Sequence, residues 1–298
     1  MSEPMNPTLR VLAILTLLGA TGCSRNEPTT LVIAFQPQED TAKLAPNAAA
    51  LAHFIGEKIG LPTKVFLPAD YIAVVEALRG KQADVAYFSA WPYALATELA
   101  GAEIFAAERR NGETHYWSHW YVRADSPYKS LADLKGKPIA FTSPTSTSGW
   151  LFPMAKLTEE GVVAKGADPK SAFSDVLFAG GYEQALKALV AGQVEAAAAS
   201  DYAPARFLSV EQRAGVRVLA KQGPVPTHVL AWRKDLPPAT KEKIRAAFLA
   251  LNEPANKVLL ANTYGSEALV AVDESHVLAL QKALDATGRG TELSTFKK

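Results

Sequence analysis

Short apolar runs alternate with helical segments through most of this chain, and that alternation restricts the fold more than any other feature. Leu31-Val32-Ile33-Ala34-Phe35 reads as a buried strand. Pro46 opens a helix with Leu51, Phe54, Ile55 and Ile59 on one face, and Gly60 stops it. Lys64 to Leu67 is a second strand, and Asp70 caps a helix running to Leu78 before Gly80. Asp84 to Phe88 is a third strand, after which Pro92 opens a helix ending before Gly101. Thr114 to Arg123 alternates as a strand, and a break at Arg123-Ala124-Asp125-Ser126-Pro127 follows. Then come strands at Pro138–Thr142 and Asp175–Phe178, and a helix after Gly180-Gly181 that buries Leu186, Leu189 and Val190 and stops at Gly192. Val194 to Ala199 is rich in alanine, which favours helix, but its place between Gly192 and Asp201 favours a strand. Val216–Ala220 and His228–Trp232 are further strands around the breaker Gly223-Pro224-Val225-Pro226, and the remainder reads as helical. The expectation is an α/β fold with two lobes, each a mostly parallel sheet flanked by helices. One lobe would hold 31–121 plus 227–298 and the other 122–226, with chain crossings near Val122 and Pro226.

The 298 residues carry 31 Lys+Arg against 30 Asp+Glu, a formal net charge of +1. That balance offers no broad field for nucleic acid or an anionic membrane, so any anion site has to be local. Arg10, the apolar run Val11–Leu18 and the small residues before Cys23 follow the order of a secretory signal, giving a leader over 1–22 and a polar tether over 23–30. The small residues ahead of the only cysteine resemble a bacterial lipobox, with Ala20 where leucine is preferred. Cys23 would then become lipidated and supply the sole membrane attachment; an ordinary cleaved signal is the alternative. With one cysteine there is no intrachain disulfide. His115 and His119 have the spacing of a helical metal pair, but on a strand four residues span about 13 Å, too far for one ion. No metal or other cofactor is expected.

Pro144-Thr145-Ser146-Thr147-Ser148-Gly149-Trp150 lies between the strand Pro138–Thr142 and a helix beginning near Trp150. The first N–H groups of a helix lack partners and carry the positive end of its dipole. Ser146, Thr147 and Ser148 add hydroxyl donors, and Gly149 allows close approach to the backbone. A plain Ser/Thr helix cap that binds nothing fits the same residues. Pro153 removes a hydrogen bond unless the helix starts close by. Other residues just past strand ends would face the cleft between lobes, where ligands of such sheets sit: Tyr71, Phe88 and Trp91, Tyr182 and Asp201.

Pro68-Ala69-Asp70-Tyr71, Asp84-Val85-Ala86-Tyr87-Phe88, Tyr116-Trp117-Ser118, the stretch from Pro144 to Phe152 and Trp232-Arg233-Lys234-Asp235-Leu236 occur in that order. In this arrangement the chain resembles the phosphonate/phosphite-binding family of periplasmic solute-binding proteins that serve ABC importers. The resemblance implies a type II periplasmic-binding fold and no enzymatic activity. It implies an anion loop of Ser146, Thr147, Ser148 and the Gly149 backbone, with Tyr71 and Tyr116 as phenols facing the cleft and Phe88 and Trp91 as an apolar wall. It further implies a monomer in the periplasm, partnered by an ABC permease and ATPase. Two positions depart from the family. Tyr182 stands where a histidine usually helps hold the phosphonate, and Thr227-His228 where aminophosphonate binders place a carboxylate. Asp201 could keep that carboxylate's role or merely cap a helix. The expected ligand is therefore a small oxyanion without an amino tail: phosphite, phosphate or a short alkylphosphonate. A sensor presenting its ligand state to a membrane receptor shares these features. A serine hydrolase is a further class, but the Ser-Thr-Ser-Gly sequence lacks the glycine-flanked nucleophile elbow.

Overall fold

A computed structural model describes Met1, residues 28–38 and residues 41–289. The leader, Cys23 and the far C-terminus lie outside the described residues. The first lobe begins with β1 (Leu31–Phe35), α1 (Thr41–Ile59), β2 (Thr63–Phe66), α2 (Tyr71–Arg79), β3 (Val85–Phe88), α3 (Ala90–Ala100) and β4 (Ala102–Arg109). The second holds β5 (His115–Arg123), β6 (Pro138–Phe141), α4 (Phe152–Glu159), β7 (Asp175–Phe178) and α5 (Tyr182–Val190). It continues with β8 (Ala196–Ser200), α6 (Ala203–Phe207), α7 (Val210–Ala214) and β9 (Val216–Pro226). The chain then forms β10 (Val229–Arg233), α8 (Pro238–Leu249), α9 (Lys257–Tyr264), β11 (Ala268–Ala271) and α10 (Leu280–Thr287).

The strands form a six-stranded sheet in the order β11-β4-β10-β3-β1-β2 and a five-stranded sheet in the order β7-β6-β8-β5-β9. This is the two-lobed α/β architecture of the type II periplasmic-binding fold. In each sheet the βα units pair in parallel, β2-β1-β3 and β7-β6-β8, and the strands next to a crossing join antiparallel. Cores form where each helix turns its apolar stripe to a sheet. Leu44, Leu51, Ile55 and Ile59 of α1 share a buried cluster with Leu31, Ile33 and Phe35 of β1. Burying each such side chain fully contributes about 1.5–3 kcal/mol. Among the described residues, no helix is long and apolar enough to cross a membrane.

Three features differ from the sequence-based expectation. The strand β5 pairs with β8 and β9, so it lies in the second sheet, and the first crossing falls between Arg109 and His115 rather than near Val122. The alternation in this strand is genuine, but alternation says nothing about which sheet a strand joins. Both β4 and β11 are strands within stretches not read as strand. Ala102 to Arg109 lacks a strong period of two and is held as strand by its neighbours β10 and β11. Finally, α10 packs on α4 of the second lobe, burying Leu280, Ala283 and Leu284. The chain therefore crosses a third time after β11, and 227–298 does not belong wholly to the first lobe.

Candidate functional site

The stretch after β6 is a compact turn with every hydroxyl engaged. Thr142 N–H donates to the Gly149 carbonyl at 3.0 Å, and Ser146 Oγ accepts from Gly149 N–H at 3.0 Å. From Thr147 to Leu151 the backbone makes one π turn, with Leu151 N–H reaching the Ser146 carbonyl at 3.0 Å. The wider turn lets α4 start at Phe152, which places Pro153 in the first turn, where its missing N–H breaks no helical bond. Ser146, Thr147 and Ser148 are all fully buried. A Cβ on residue 149 would lie 2.0 Å from Thr142 Oγ1. Glycine is thus required there by the turn's own packing against Thr142.

Neighbouring elements bring phenols to this turn. Ser148 Oγ lies 3.1 Å from the Tyr116 hydroxyl of β5 and 2.6 Å from the Tyr182 hydroxyl of α5. The Ser148 carbonyl accepts from Ser118 Oγ at 2.6 Å, and Ser118 in turn accepts from Gln222 Nε2 at 2.7 Å. From the first lobe, Trp91 N–H at the start of α3 donates to Thr147 Oγ1 at 2.7 Å. The lobes also meet through an ion pair of Lys43 with the buried Glu183, and through Glu183 N–H, 3.4 Å from the Gln38 carbonyl.

Two buried donors facing this region, the Tyr71 hydroxyl and Gln36 Nε2, make no hydrogen bond of normal length. Tyr71 opens α2, which Asp70 caps by accepting from Ala73 N–H at 2.8 Å. The Tyr71 hydroxyl is fully buried and makes no hydrogen bond of normal length. Burial pushes its ionisation well up, opposed by the nearby Ser146 and Gln36 side chains, so it stays a neutral donor. Gln36 directs Oε1 to Ser89, accepting from its N–H at 3.0 Å and its Oγ at 3.1 Å, and this leaves Nε2 unpartnered. A buried polar group without a partner costs about 1–3 kcal/mol. Two in one place, next to a turn of hydroxyls, make this the candidate ligand site.

Burial likewise raises the ionisation of Tyr116, Tyr182 and Tyr202. The set is therefore neutral: amide and hydroxyl donors, with no cation among them. His228 is fully buried, its ring stacked between Tyr87 at 5.3 Å and Tyr116 at 5.9 Å. Burial, then Arg110 and Arg206, push its ionisation well below 6.5, so the imidazole is neutral. Phe88 is fully buried with its ring 5.9 Å from that of Tyr93. Asp201 accepts from Trp117 N–H at 3.2 Å and lines an outer cavity of about 670 Å³ with Arg110, Asn111, His115 and Glu267. It makes no hydrogen bond to the turn at 146–149. The hydroxyls of that turn bond to tyrosines and backbone, and none of these partners is a general base.

This cleft, between two α/β lobes and beside a hydroxyl-rich turn, is the geometry that the sequence resemblance implied. Residues 33–277 match the family described as ABC transporter, phosphonate, periplasmic substrate-binding protein. The chain belongs to this family. Its members are binding proteins and not enzymes, and the family is periplasmic. The chain is 32% identical over 180 residues to the phosphate-import protein PhnD of Mycolicibacterium smegmatis, a match covering 58% of this chain and 56% of the relative. It is 28% identical over 230 residues to the phosphonates-binding periplasmic protein of Escherichia coli, covering 74% of this chain and 66% of that one. The matches thus span less than two thirds of either relative's length. A binding protein component of an ABC phosphonate transporter from Pseudomonas aeruginosa superposes with a TM-score of 0.80 at 23% identity, covering 90% of each chain, which establishes a shared fold.

Within this phosphonate-binding family member, the structure gathers Tyr71, Tyr116, Ser146, Thr147, Ser148, Gly149, Tyr182 and the Trp91 backbone at one place, with His228 behind Tyr116. It does not bring Asp201 to the turn. Sequence reading missed Gln36 and Gln38, which follow β1, and Tyr202, whose hydroxyl lies 3.4 Å from Gln38 Oε1. It also missed the buried pair Glu108–Arg110. The position of Gln36 and Gln38 immediately past a buried strand was the available signal for the first two.

Proposed function

We propose that this protein is the extracytoplasmic solute-binding lipoprotein of an ABC importer, capturing a small oxyanion by hinged closure of its lobes and presenting it, as a monomer, to the permease and ATPase. The observation that carries this reading is the pair of unpartnered buried donors, Tyr71 hydroxyl and Gln36 Nε2, beside the Ser146–Gly149 turn. An oxyanion accepts several hydrogen bonds at once, and each bond from a neutral donor to a charged acceptor contributes about 1.5–3 kcal/mol. Donors from both lobes converge on one ligand only when the lobes are together, so the ligand shifts an open–closed equilibrium. Phe88 and Trp91, both buried, are taken as the apolar wall of this site. The relatives' names, for phosphate import and phosphonate binding, agree with this chemistry. Phosphite, phosphate and short alkylphosphonates are the ligands that suit it. An amino tail does not, because Asp201 is turned to the Trp117 backbone and His228 is buried and neutral.

The test is thermal unfolding with phosphite, phosphate, methylphosphonate, sulfate and 2-aminoethylphosphonate. At a hundred times its dissociation constant a ligand adds about 2.7 kcal/mol of stability. Stabilisation is expected from at least one of the first three, more strongly than from 2-aminoethylphosphonate; no response to any of them contradicts the reading. Lipid attachment at Cys23 is checked separately by membrane fractionation of Cys23→Ala. Release of the variant into the soluble fraction supports the anchor, and unchanged retention opposes it.

A further inference from the structure

Next to the hydroxyl cluster lies a buried ion pair that the anion site does not use. Glu108 lies near the end of β4 and Arg110 two residues on, so both side chains leave the strand on one face. Glu108 is fully buried and Arg110 nearly so. Arg110 Nε donates to Glu108 Oε2 at 2.9 Å, and Nη2 donates to Oε1 at 2.9 Å. The Tyr87 hydroxyl donates to the same Oε1 at 2.6 Å. The rest of the guanidinium fork is held by the carbonyls of Tyr264, at 2.6 Å, and Gly265. Both oxygens of the carboxylate are therefore engaged, and the cation is fixed in place.

The pair stands one aromatic ring away from the hydroxyl cluster. Arg110 Cζ lies 4.1 Å from the centre of the Tyr202 ring. That ring is 5.5 Å from Tyr116 and 6.1 Å from Tyr182, the two phenols that hold Ser148. On the other side, His228 Nδ1 is 3.7 Å from Glu108 Oε2, and neither ring nitrogen of His228 has a hydrogen-bond partner.

We propose that Arg110 sets the charge selectivity of the cleft by holding the Glu108 carboxylate away from any ammonium group on the ligand. This rests on the oxyanion-binding reading and deepens it. An ammonium tail reaching this wall would lose its water and meet a guanidinium of like charge, with the carboxylate's lone pairs already engaged. A methyl or hydroxyl tail carries no such penalty. Removing the guanidinium leaves a buried carboxylate without its counter-ion, for which an ammonium tail is the fitting partner. One residue thus separates a cleft for anions with neutral tails from a cleft for zwitterions.

The test uses two probes of nearly the same shape, 2-hydroxyethylphosphonate and 2-aminoethylphosphonate, titrated by calorimetry at fixed pH and salt. Wild-type protein should favour the hydroxyl probe by about tenfold or more, since like charges set together repel. Arg110→Gln should reverse the ratio, and the double variant Glu108→Gln/Arg110→Gln should bring it back toward equality. A folded Arg110→Gln variant that keeps the wild-type ratio overturns the proposal, as does a wild type that binds both probes equally. If Arg110→Gln fails to fold, Glu108→Gln decides: it removes the carboxylate and keeps the cation, so the preference for the hydroxyl probe should grow, and an unchanged ratio overturns the proposal. Failure of wild type to bind either probe, methylphosphonate, phosphate or phosphite is a different result, which removes the oxyanion reading itself.

Discussion

The two walls of the cleft are built on opposite plans. The second-lobe wall is one contiguous turn, Ser146 to Gly149, together with the phenols of Tyr116 and Tyr182, and its hydroxyls are satisfied from within the protein. The first-lobe wall is drawn from separate strand ends, and Tyr71 and Gln36 leave donors without partners. On the proposed reading a ligand completes the first-lobe wall, while the hydroxyls of the turn already have partners, Thr147 taking its own from Trp91 across the cleft. Affinity should therefore reside in the first-lobe wall and stability in the turn. Substitutions in the pre-built turn should disturb folding, while substitutions of the unpartnered donors should disturb binding alone.

The largest effect is expected from Tyr71→Phe. Loss of a hydrogen bond to a charged ligand should weaken oxyanion binding by about 1.5–3 kcal/mol, roughly ten- to a hundredfold. Because that hydroxyl makes no hydrogen bond of normal length in the protein, unfolding of the ligand-free variant should occur close to or above the wild-type temperature. A variant that loses stability together with affinity would show that the phenol is structural, and the contrast between the walls would fail.

Gly149→Ala sharpens the other side. The added carbon would collide with Thr142 Oγ1. Overpacking of this kind costs about 1–3 kcal/mol, readable as a lower unfolding temperature without ligand. Thr142→Gly in the same chain should restore much of the loss. If Gly149→Ala instead kept full stability and lost only affinity, the glycine would be serving the ligand and not the turn.

A smaller effect concerns pH. His228 is held neutral, with its folded-state ionisation below the ordinary 6.5. The unfolded chain therefore takes up the proton first as pH falls. Stability should be full above about pH 6.5 and decline below it, by at most about 1.4 kcal/mol per pH unit from this residue. Burial lowers His119 and His276 in the same sense, so their contributions add. Unfolding measured from pH 7.5 to 5.5 should show the decline, and His228→Asn should flatten part of it.

The same contrast explains what could be read from sequence. The turn was legible because its hydroxyls are consecutive between a strand and a helix, and the first βα units were legible through their apolar stripes and glycine stops. The alanine-rich β8 was recoverable only from its neighbours, since alanine alone favours helix. The pair Glu108–Arg110 stayed hidden because Ala102 to Arg109 has no clear period and is strand only through its pairing with β10 and β11. Gln36 and Gln38 gave no chemical signal of their own; a glutamine past a strand end becomes informative once an unpartnered Nε2 is seen beside Tyr71. The sheet joined by β5 and the return of α10 to the second lobe are long-range choices that no local pattern records.

The central claim is that an oxyanion completes the first-lobe wall. It is tested most directly by a crystal structure of the protein with arsenate, whose heavy atom is located without ambiguity in anomalous density. The account predicts the arsenic between the lobes, with its oxygens within hydrogen-bond distance of the Tyr71 hydroxyl, Gln36 Nε2 and the Thr147–Ser148 turn. Arsenate found instead in the outer cavity beside Arg110 and Asn111, with Tyr71 and Gln36 still unpartnered, would contradict it.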